Sequence, residues 1–335
     1  LVDVSASSST DAWAVGETGS YVCGMDMCLL ATHWNGKKWQ TIGGPKGLSS
    51  DNNPILEGVA VAATGRGRAW FFVVHANEEI GTSETDAFEW TGTSWSAVHK
   101  MAYSPSGPIA SGPDDVWGFE NVNGTPWAIH YNGKGWSRVP ISVNVSAASG
   151  SAAAGDWVMG TVAAQPARVE VLRWSNGAWR NVPLPNIGVP RGGHMSAGII
   201  APALSPASVW ATVGVGPTRG PGHMTTILLH WNGTAWSIVP FPKGVGTGGI
   251  YGLASDGHGG AWVGSYAVNK PGVLLEGLVM YHFSGGHWTH VAAPVISRSV
   301  TDVNGMELIP GTRSVLATAT VYGHANGGAI LKYGP

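Results

Sequence analysis

Apolar positions along the chain come in short runs between glycine-containing turns, and the runs recur in a fixed order. A stretch of small residues comes first, as in Val4-Ser5-Ala6-Ser7 or Val145-Ser146-Ala147-Ala148. A Trp-bearing run follows: Asp11-Ala12-Trp13-Ala14-Val15-Gly16, Asp115-Val116-Trp117-Gly118, Ser208-Val209-Trp210-Ala211 and Gly260-Ala261-Trp262-Val263-Gly264, with looser copies at Ala69-Trp70-Phe71 and Asp156-Trp157-Val158. Next come an aromatic residue, a turn, and a Trp five positions after the aromatic. Runs this short, bounded by Gly and Asn, predict strands rather than helices.

The aromatic–turn–Trp unit occurs six times. It reads His33-Trp34-Asn35-Gly36-Lys37-Lys38-Trp39, Glu89-Trp90-Thr91-Gly92-Thr93-Ser94-Trp95 and His130-Tyr131-Asn132-Gly133-Lys134-Gly135-Trp136 in the first half of the chain. In the second half it reads Arg173-Trp174-Ser175-Asn176-Gly177-Ala178-Trp179, His230-Trp231-Asn232-Gly233-Thr234-Ala235-Trp236 and His282-Phe283-Ser284-Gly285-Gly286-His287-Trp288. Trp39 and Trp288 lie 249 residues apart over five intervals, a period of about 50, which suits the blades of a propeller. Asn-Gly favours a two-residue type I′ turn. For Asn35-Gly36 that turn sets Trp34 opposite Lys37 and Thr32 opposite Trp39, so that Trp34 and Trp39 become diagonal neighbours on one face.

The expected fold is therefore all-β: a seven-bladed β-propeller of four-stranded antiparallel blades, forming a single domain over 1–335. The approximate blades are 1–46, 55–100, 107–141, 143–185, 194–242, 249–293 and 300–335. Each runs from a small-residue inner strand near the axis, through a Trp-bearing second strand and a third strand, to an outer Trp strand. The seventh is weaker, with Ser314-Val315-Leu316-Ala317 as second strand and Ala329-Ile330-Leu331-Lys332-Tyr333 as third. It is expected to lack an outer strand within this chain. The pattern resembles kelch-like and galactose-oxidase-like secreted bacterial propeller repeats, whose form Asp-Val-Trp-Ala-Val-Gly followed by His-Trp-Asn-Gly-Thr-Ala-Trp is matched along the whole chain. It lacks the Gly-His and Trp-Asp marks of WD40 blades and the Gly-Gly pair of kelch blades. The resemblance implies architecture and an extracellular setting; it carries over no catalytic residue.

Composition agrees with a repeat protein. The 335 residues include 50 Gly and 17 Trp, with 11% charged and 44% hydrophobic residues, enough apolar side chain to build a core. The net charge of −2 provides no electrostatic footprint for nucleic acid, and no apolar run reaches the roughly 20 residues of a membrane span. A monomer is expected. Cys23 and Cys28, in Cys-Gly-Met-Asp-Met-Cys, read as a small disulfide staple of an oxidising compartment; reduced thiols or a soft-metal site with Met25 and Met27 are the alternatives. The first residue already lies in repeat sequence, as it would after removal of a leader.

The repeat assigns most conspicuous residues to the scaffold, including the paired aromatics and His33, His130, His230 and His282. What it does not explain are loop residues on one face: Met25, Asp26, Met27, His75, Arg191, His194, Arg219, His223 and His324. A second group stands where the inner strands begin: Asp3, Glu57, Asn144, Tyr251 and Asp302. Seven inner strands converge on the axis, so these side chains are expected to ring one mouth of a channel, where carboxylates raise one another's pKa or hold a cation. The ligand-binding or catalytic candidates are Asp3, Glu57, Tyr251, Asp302, His194 and His223. A divalent or transition metal would sit on His75, His194, His223 and His324. No hydrolase elbow, metalloprotease helix, phosphate-binding loop or EF-hand occurs. Three functions fit: a secreted module binding a glycan or other small polar ligand; an enzyme on the same face (a polysaccharide hydrolase using Asp3, Glu57 and Asp302, a lyase using Tyr251 with His194 or His223, or a His-ligated metalloenzyme); and a protein-interaction platform.

Overall fold

A computed structural model describes residues 1–19, 27–45, 55–77, 82–102, 107–162, 168–202, 204–217, 224–242, 249–270, 273–292, 301–321 and 327–335. They form seven antiparallel sheets, six of four strands and a seventh of three. The inner strands are Asp3–Ser8, Ile55–Gly65, Ile109–Gly112, Asn144–Ser151, Gly193–Pro202, Ile250–Ser255 and Thr301–Leu308. Each lies against the next, and the first lies against the last, so the sheets close into a ring. The chain is a seven-bladed β-propeller whose last blade, Thr301–Leu308, Val315–Val321 and Gly327–Tyr333, has three strands.

The apolar side chains are buried between blades. Among the described residues seven hydrophobic clusters occur, one at each seam. The rule repeats: the hairpin aromatics of one blade lie on the second-strand Trp of the blade before. Trp174 and Trp179 pack on Trp117, Trp231 and Trp236 on Trp157, Phe283 on Trp210, and Tyr333 on Trp262. Trp13, Trp117, Trp157 and Trp210 are fully buried. The paired aromatics are thus interblade core.

One row of side chains crosses each sheet in register. In the first blade it runs Ser5, Trp13, His33, Gln40. In the sixth it runs Ala254, Trp262, His282, Thr289. His33, His130, His230 and His282 stack on the Trp of their own row at centroid distances of 4.4, 4.0, 4.2 and 4.2 Å. Each Nε2 is then fixed from below: on Asp11, Asp115 and Asp256 at 2.8, 2.7 and 3.0 Å, or on the Ser208 hydroxyl at 3.1 Å. Burial holds the His230 imidazole below its ordinary pKa. These imidazoles are structural, because both the ring face and Nε2 are engaged within the blade.

The hairpins correct one expectation. Trp34 stands directly opposite Trp39, not diagonal to it, because the loop has four residues. Only Gly36 has positive φ there. The Asn35 carboxamide oxygen accepts from the Lys37 and Lys38 backbone N–H groups at 3.0 and 3.1 Å. Asn35 therefore acts as an acceptor that folds the loop rather than as a left-handed turn residue. Asn132 and Asn232 do the same. The type I′ turn appears in the fourth blade, where Asn176 and Gly177 take φ of 50° and 73° between Ser175 and Ala178. Both loops bring aromatic and Trp face to face, which explains why the five-residue spacing survives changes in the turn.

Candidate functional site

The inner strands leave a channel along the axis. Its main cavity, about 690 Å³, is walled by the inner strands of the first four blades and closed by Asn304, Glu307 and Leu308 of the seventh. A second cavity of about 240 Å³ adjoins the first, fourth, fifth, sixth and seventh blades. Asp3, Ser149, Asn304 and Glu307 line both. Among the described residues neither lining includes a Lys, Arg or His.

Four of the seven inner strands carry a β-bulge near their start, between Leu56 and Gly58, Val145 and Ala147, Ile250 and Gly252, and Val303 and Gly305, and the fifth-blade strand carries one midway, between Ala197 and Ile200. A bulge takes one residue out of the ladder and re-aims its side chain. The residues so displaced include Glu57, Ser146, Tyr251 and Asn304. Ser146, Tyr251 and Asn304 are exposed, Tyr251 at 45%. Tyr251 and Asn304 line the channel, whereas Ser146 lines a separate pocket with Asn121 and Trp127.

Deeper in the channel the chemistry is acidic. Where the other inner strands oppose their second-strand aromatic with Ser5, Ala62, Ile109, Ser149, Ala201 and Ala254, the seventh opposes Leu316 with Glu307. Burial, reinforced by the charge of Asp3, pushes the Glu307 carboxyl up to about 8. Burial also raises Asp3, to about 6, against the pull of two backbone N–H bonds from Val61 at 2.9 Å and Val4 at 2.8 Å. Those donors favour the charge on Asp3, and Glu307, which accepts no hydrogen bond among the described residues, keeps the proton. Near neutrality the wall thus offers one carboxylate already held by backbone and one carboxylic acid able to donate.

The sequence candidates divide. Asp3 and Tyr251 both line the smaller cavity. Asp3 also ties the first inner strand to the second, so one of its roles is structural. Glu57 and Asp302 lie in inner strands, in Ile55–Gly65 and Thr301–Leu308, with side chains outside the described set. Asn144 accepts from the Asn121 amide at 2.5 Å. In the seventh blade the bulged place belongs to Asn304, two residues beyond Asp302. His194 pairs with Gly216 and lines neither cavity; its Nδ1 is buried and has no hydrogen-bond partner among the described residues. Arg191 is exposed in the turn before that strand. His75 is in the second strand Arg68–Asn77, its side chain outside the described set. His223, His324, Cys23, Met25, Asp26 and Arg219 lie outside the described residues, as do the side chains of Cys28 and Met27. Among the described residues no group of three or more His, Cys, Asp or Glu could hold a metal, and no helix is long and apolar enough to cross a membrane. Glu307, Asn304 and Ser146 were not singled out by sequence. Aligning inner strands on the second-strand Trp exposes Glu307 as a carboxylate in a column otherwise of Ser, Ala and Ile.

No protein-family model and no curated protein matches the chain. Solved structures match in fold. A GH74 xyloglucanase from Xanthomonas campestris superposes with a TM-score of 0.61 at 14% identity, over 98% of this chain and 51% of that one, so the chain spans about half of that enzyme. A structure of YCF48 bound to a D1 peptide gives 0.55 at 15% identity, over 99% and 90%. The β-propeller domain of the Trilobed protease from Pyrococcus furiosus gives 0.50 at 9%, over 82% and 83%. Identities this low establish the propeller and assign neither family nor function.

Proposed function

We propose that this propeller binds a polar, hydroxyl-rich ligand of the glycan class at the bulged mouth of its axial channel. The observation that carries the reading is that two bulged residues, Tyr251 and Asn304, line one cavity together with Glu307 and Asp3. A neutral carboxylic acid both donates and accepts hydrogen bonds, and the absence of cations from the described lining suits a neutral or cationic ligand rather than an anionic one. The test is a glycan array followed by calorimetry on Tyr251→Ala and Glu307→Gln. Affinity should fall about tenfold in the first, by loss of a ring that sugars stack on. An array without any hit, or hits that both variants bind unchanged, would reject the assignment.

A second reading is favoured by the pair of carboxyls itself. Groups pushed to about 6 and about 8 have the division of roles that acid–base chemistry on a glycosidic bond requires. Glu307→Gln would then abolish release of reducing sugar from a bound polysaccharide while leaving its affinity in place. The resemblance to secreted bacterial repeats supports an extracellular location, and the close spacing of the two cysteines in Cys-Gly-Met-Asp-Met-Cys supports a Cys23–Cys28 bond. Thiol titration of the unfolded protein checks the bond, and two free thiols would overturn it.

A further inference from the structure

A groove of about 800 Å³ lies between the first two blades where their inner strands end, away from the bulged mouth. It is shaped by the turn Gly65-Arg66-Gly67-Arg68, in which Gly65 pairs with Arg68 and both central residues have positive φ, 58° at Arg66 and 71° at Gly67. The same turn at Asn123-Gly124 and Asn176-Gly177 places Asn first. Asn tolerates the left-handed region and Arg gains nothing there. Arg66 is the one residue other than Asn or Gly with positive φ among the described residues. Backbone that contradicts local preference points to a side chain kept for another reason.

That side chain is exposed and, among the described residues, has no ion-pair partner, whereas Arg68 is engaged by Glu89 at 2.6 Å. The acid in the described lining is Asp11, and its oxygens are engaged within the blades: its carboxylate accepts from the Ser7 hydroxyl at 2.7 Å and the Gly67 N–H at 3.0 Å and holds His33 at 2.8 Å. Asn35 lines the groove and accepts from the backbone of Lys37 and Lys38, which are exposed and do not line it themselves. Half-buried Trp90 presents an aromatic surface, and exposed Gln40 an amide. An arginine with no ion pair among the described residues, beside an acid whose oxygens are already engaged and next to an indole, suits a ring that bears a carboxylate, since a guanidinium grips a carboxylate with two parallel bonds.

We infer that this groove is a second binding site, for an acidic saccharide of the uronate class, with Arg66 as the residue that selects the charge. The groove meets the far end of the axial channel at Ser7 and Thr64, which line both, but neither Asp3 nor Glu307 lines it. The test titrates trigalacturonate and its neutral methyl ester by calorimetry against the wild type, Arg66→Asn and Glu307→Gln, and follows thermal unfolding of each. The acid should bind at least tenfold more tightly than the ester and weaken with added salt. Arg66→Asn should lose about tenfold in affinity for the acid and yet melt about 2 °C higher, because Asn-Gly suits the turn. Glu307→Gln should bind the acid as the wild type does, which separates this groove from the channel: loss of channel binding alone leaves the groove standing. Equal binding of acid and ester, unchanged affinity in Arg66→Asn, or a lower melting temperature in that variant would each overturn the inference.

Discussion

The sixth and seventh blades lie side by side, each with a carboxylate withdrawn from bulk water, and they treat it in opposite ways. Asp256, 1% exposed, accepts from the His258 and Gly260 backbone N–H groups at 2.8 and 2.7 Å and from His282 at 3.0 Å. Burial pushes its pKa up, but these bonds outweigh it and hold the group below the ordinary value. Glu307 has burial and a like charge acting on it, and rises to about 8. Burial and donors together set the state of a carboxyl: Asp256 has three donors to offset its burial, and Glu307 has none among the described residues. The sixth blade spends its carboxylate on the row Trp262–His282, while the seventh has Leu316 and Lys332 in those places and directs its acid to the channel.

The largest break in this comparison is Trp262→Ala. It removes the ring on which His282 stacks and which Tyr333 packs against across the seam, and should cost about 3–5 kcal/mol in denaturant unfolding. Asp256→Ala should follow, at about 2–4 kcal/mol, by leaving two backbone N–H groups and His282 without their acceptor. A carboxyl with a depressed pKa adds stability above its unfolded value, near 3.8, and loses it as pH falls through the folded value. The alanine variant should therefore approach the wild type only on the acid side of pH 4, in a series of urea melts.

Glu307→Gln carries the opposite sign. The wild-type carboxyl binds its proton more tightly folded than unfolded, so its contribution is complete below the unfolded pKa of 4.5 and is lost as pH rises towards about 8. Asp3 adds the same trend between 3.8 and about 6. The melting temperature of the wild type should decline from pH 5 to pH 8. The glutamine variant should flatten the upper part of that decline and be more stable at pH 8, by about 1–3 kcal/mol. A wild-type profile that rises over this range would show that Glu307 has a donor and belongs with Asp256.

The seam chemistry was legible in the sequence because it repeats: six copies of an aromatic-to-Trp spacing specify strand, turn and packing partner together, and blade count and the three-stranded last sheet followed. The channel was legible only in part. Asp3 and Tyr251 could be found because they begin inner strands, but a bulge shifts the register by one residue and moves the exposed place to Asn304 in the seventh blade, a displacement that periodicity does not carry. The Asn35 loop was misread for a similar reason: Asn-Gly fits both a left-handed turn and a carboxamide-capped loop, and the strand register chooses between them. Glu307 escaped notice because its own blade lacks the Trp that marks the column in the other six.

The smallest expected effect sharpens the comparison most. Lys332 occupies the place of His282, and Ser314 precedes Leu316 as Ser208 precedes Trp210. Lys332→His would thus restore the imidazole of the fifth blade above a serine, but without an indole to lie on and with the Ser314 hydroxyl already donating to the Pro335 carbonyl. If stacking on Trp is what makes the row cohesive, the substitution should change stability by no more than about 0.5 kcal/mol. Adding Leu316→Trp supplies the ring but forces extra volume into the cluster that also holds Val4, Ile309 and Trp34, and should cost about 1–3 kcal/mol. The coupling between the two substitutions, read from the double-mutant cycle, should nevertheless be favourable, by about 0.5–1.5 kcal/mol. A gain from Lys332→His alone above 1 kcal/mol would instead give the serine–imidazole bond the leading role, and would make the seam's carboxylates, not its tryptophans, the feature that the seventh blade gave up.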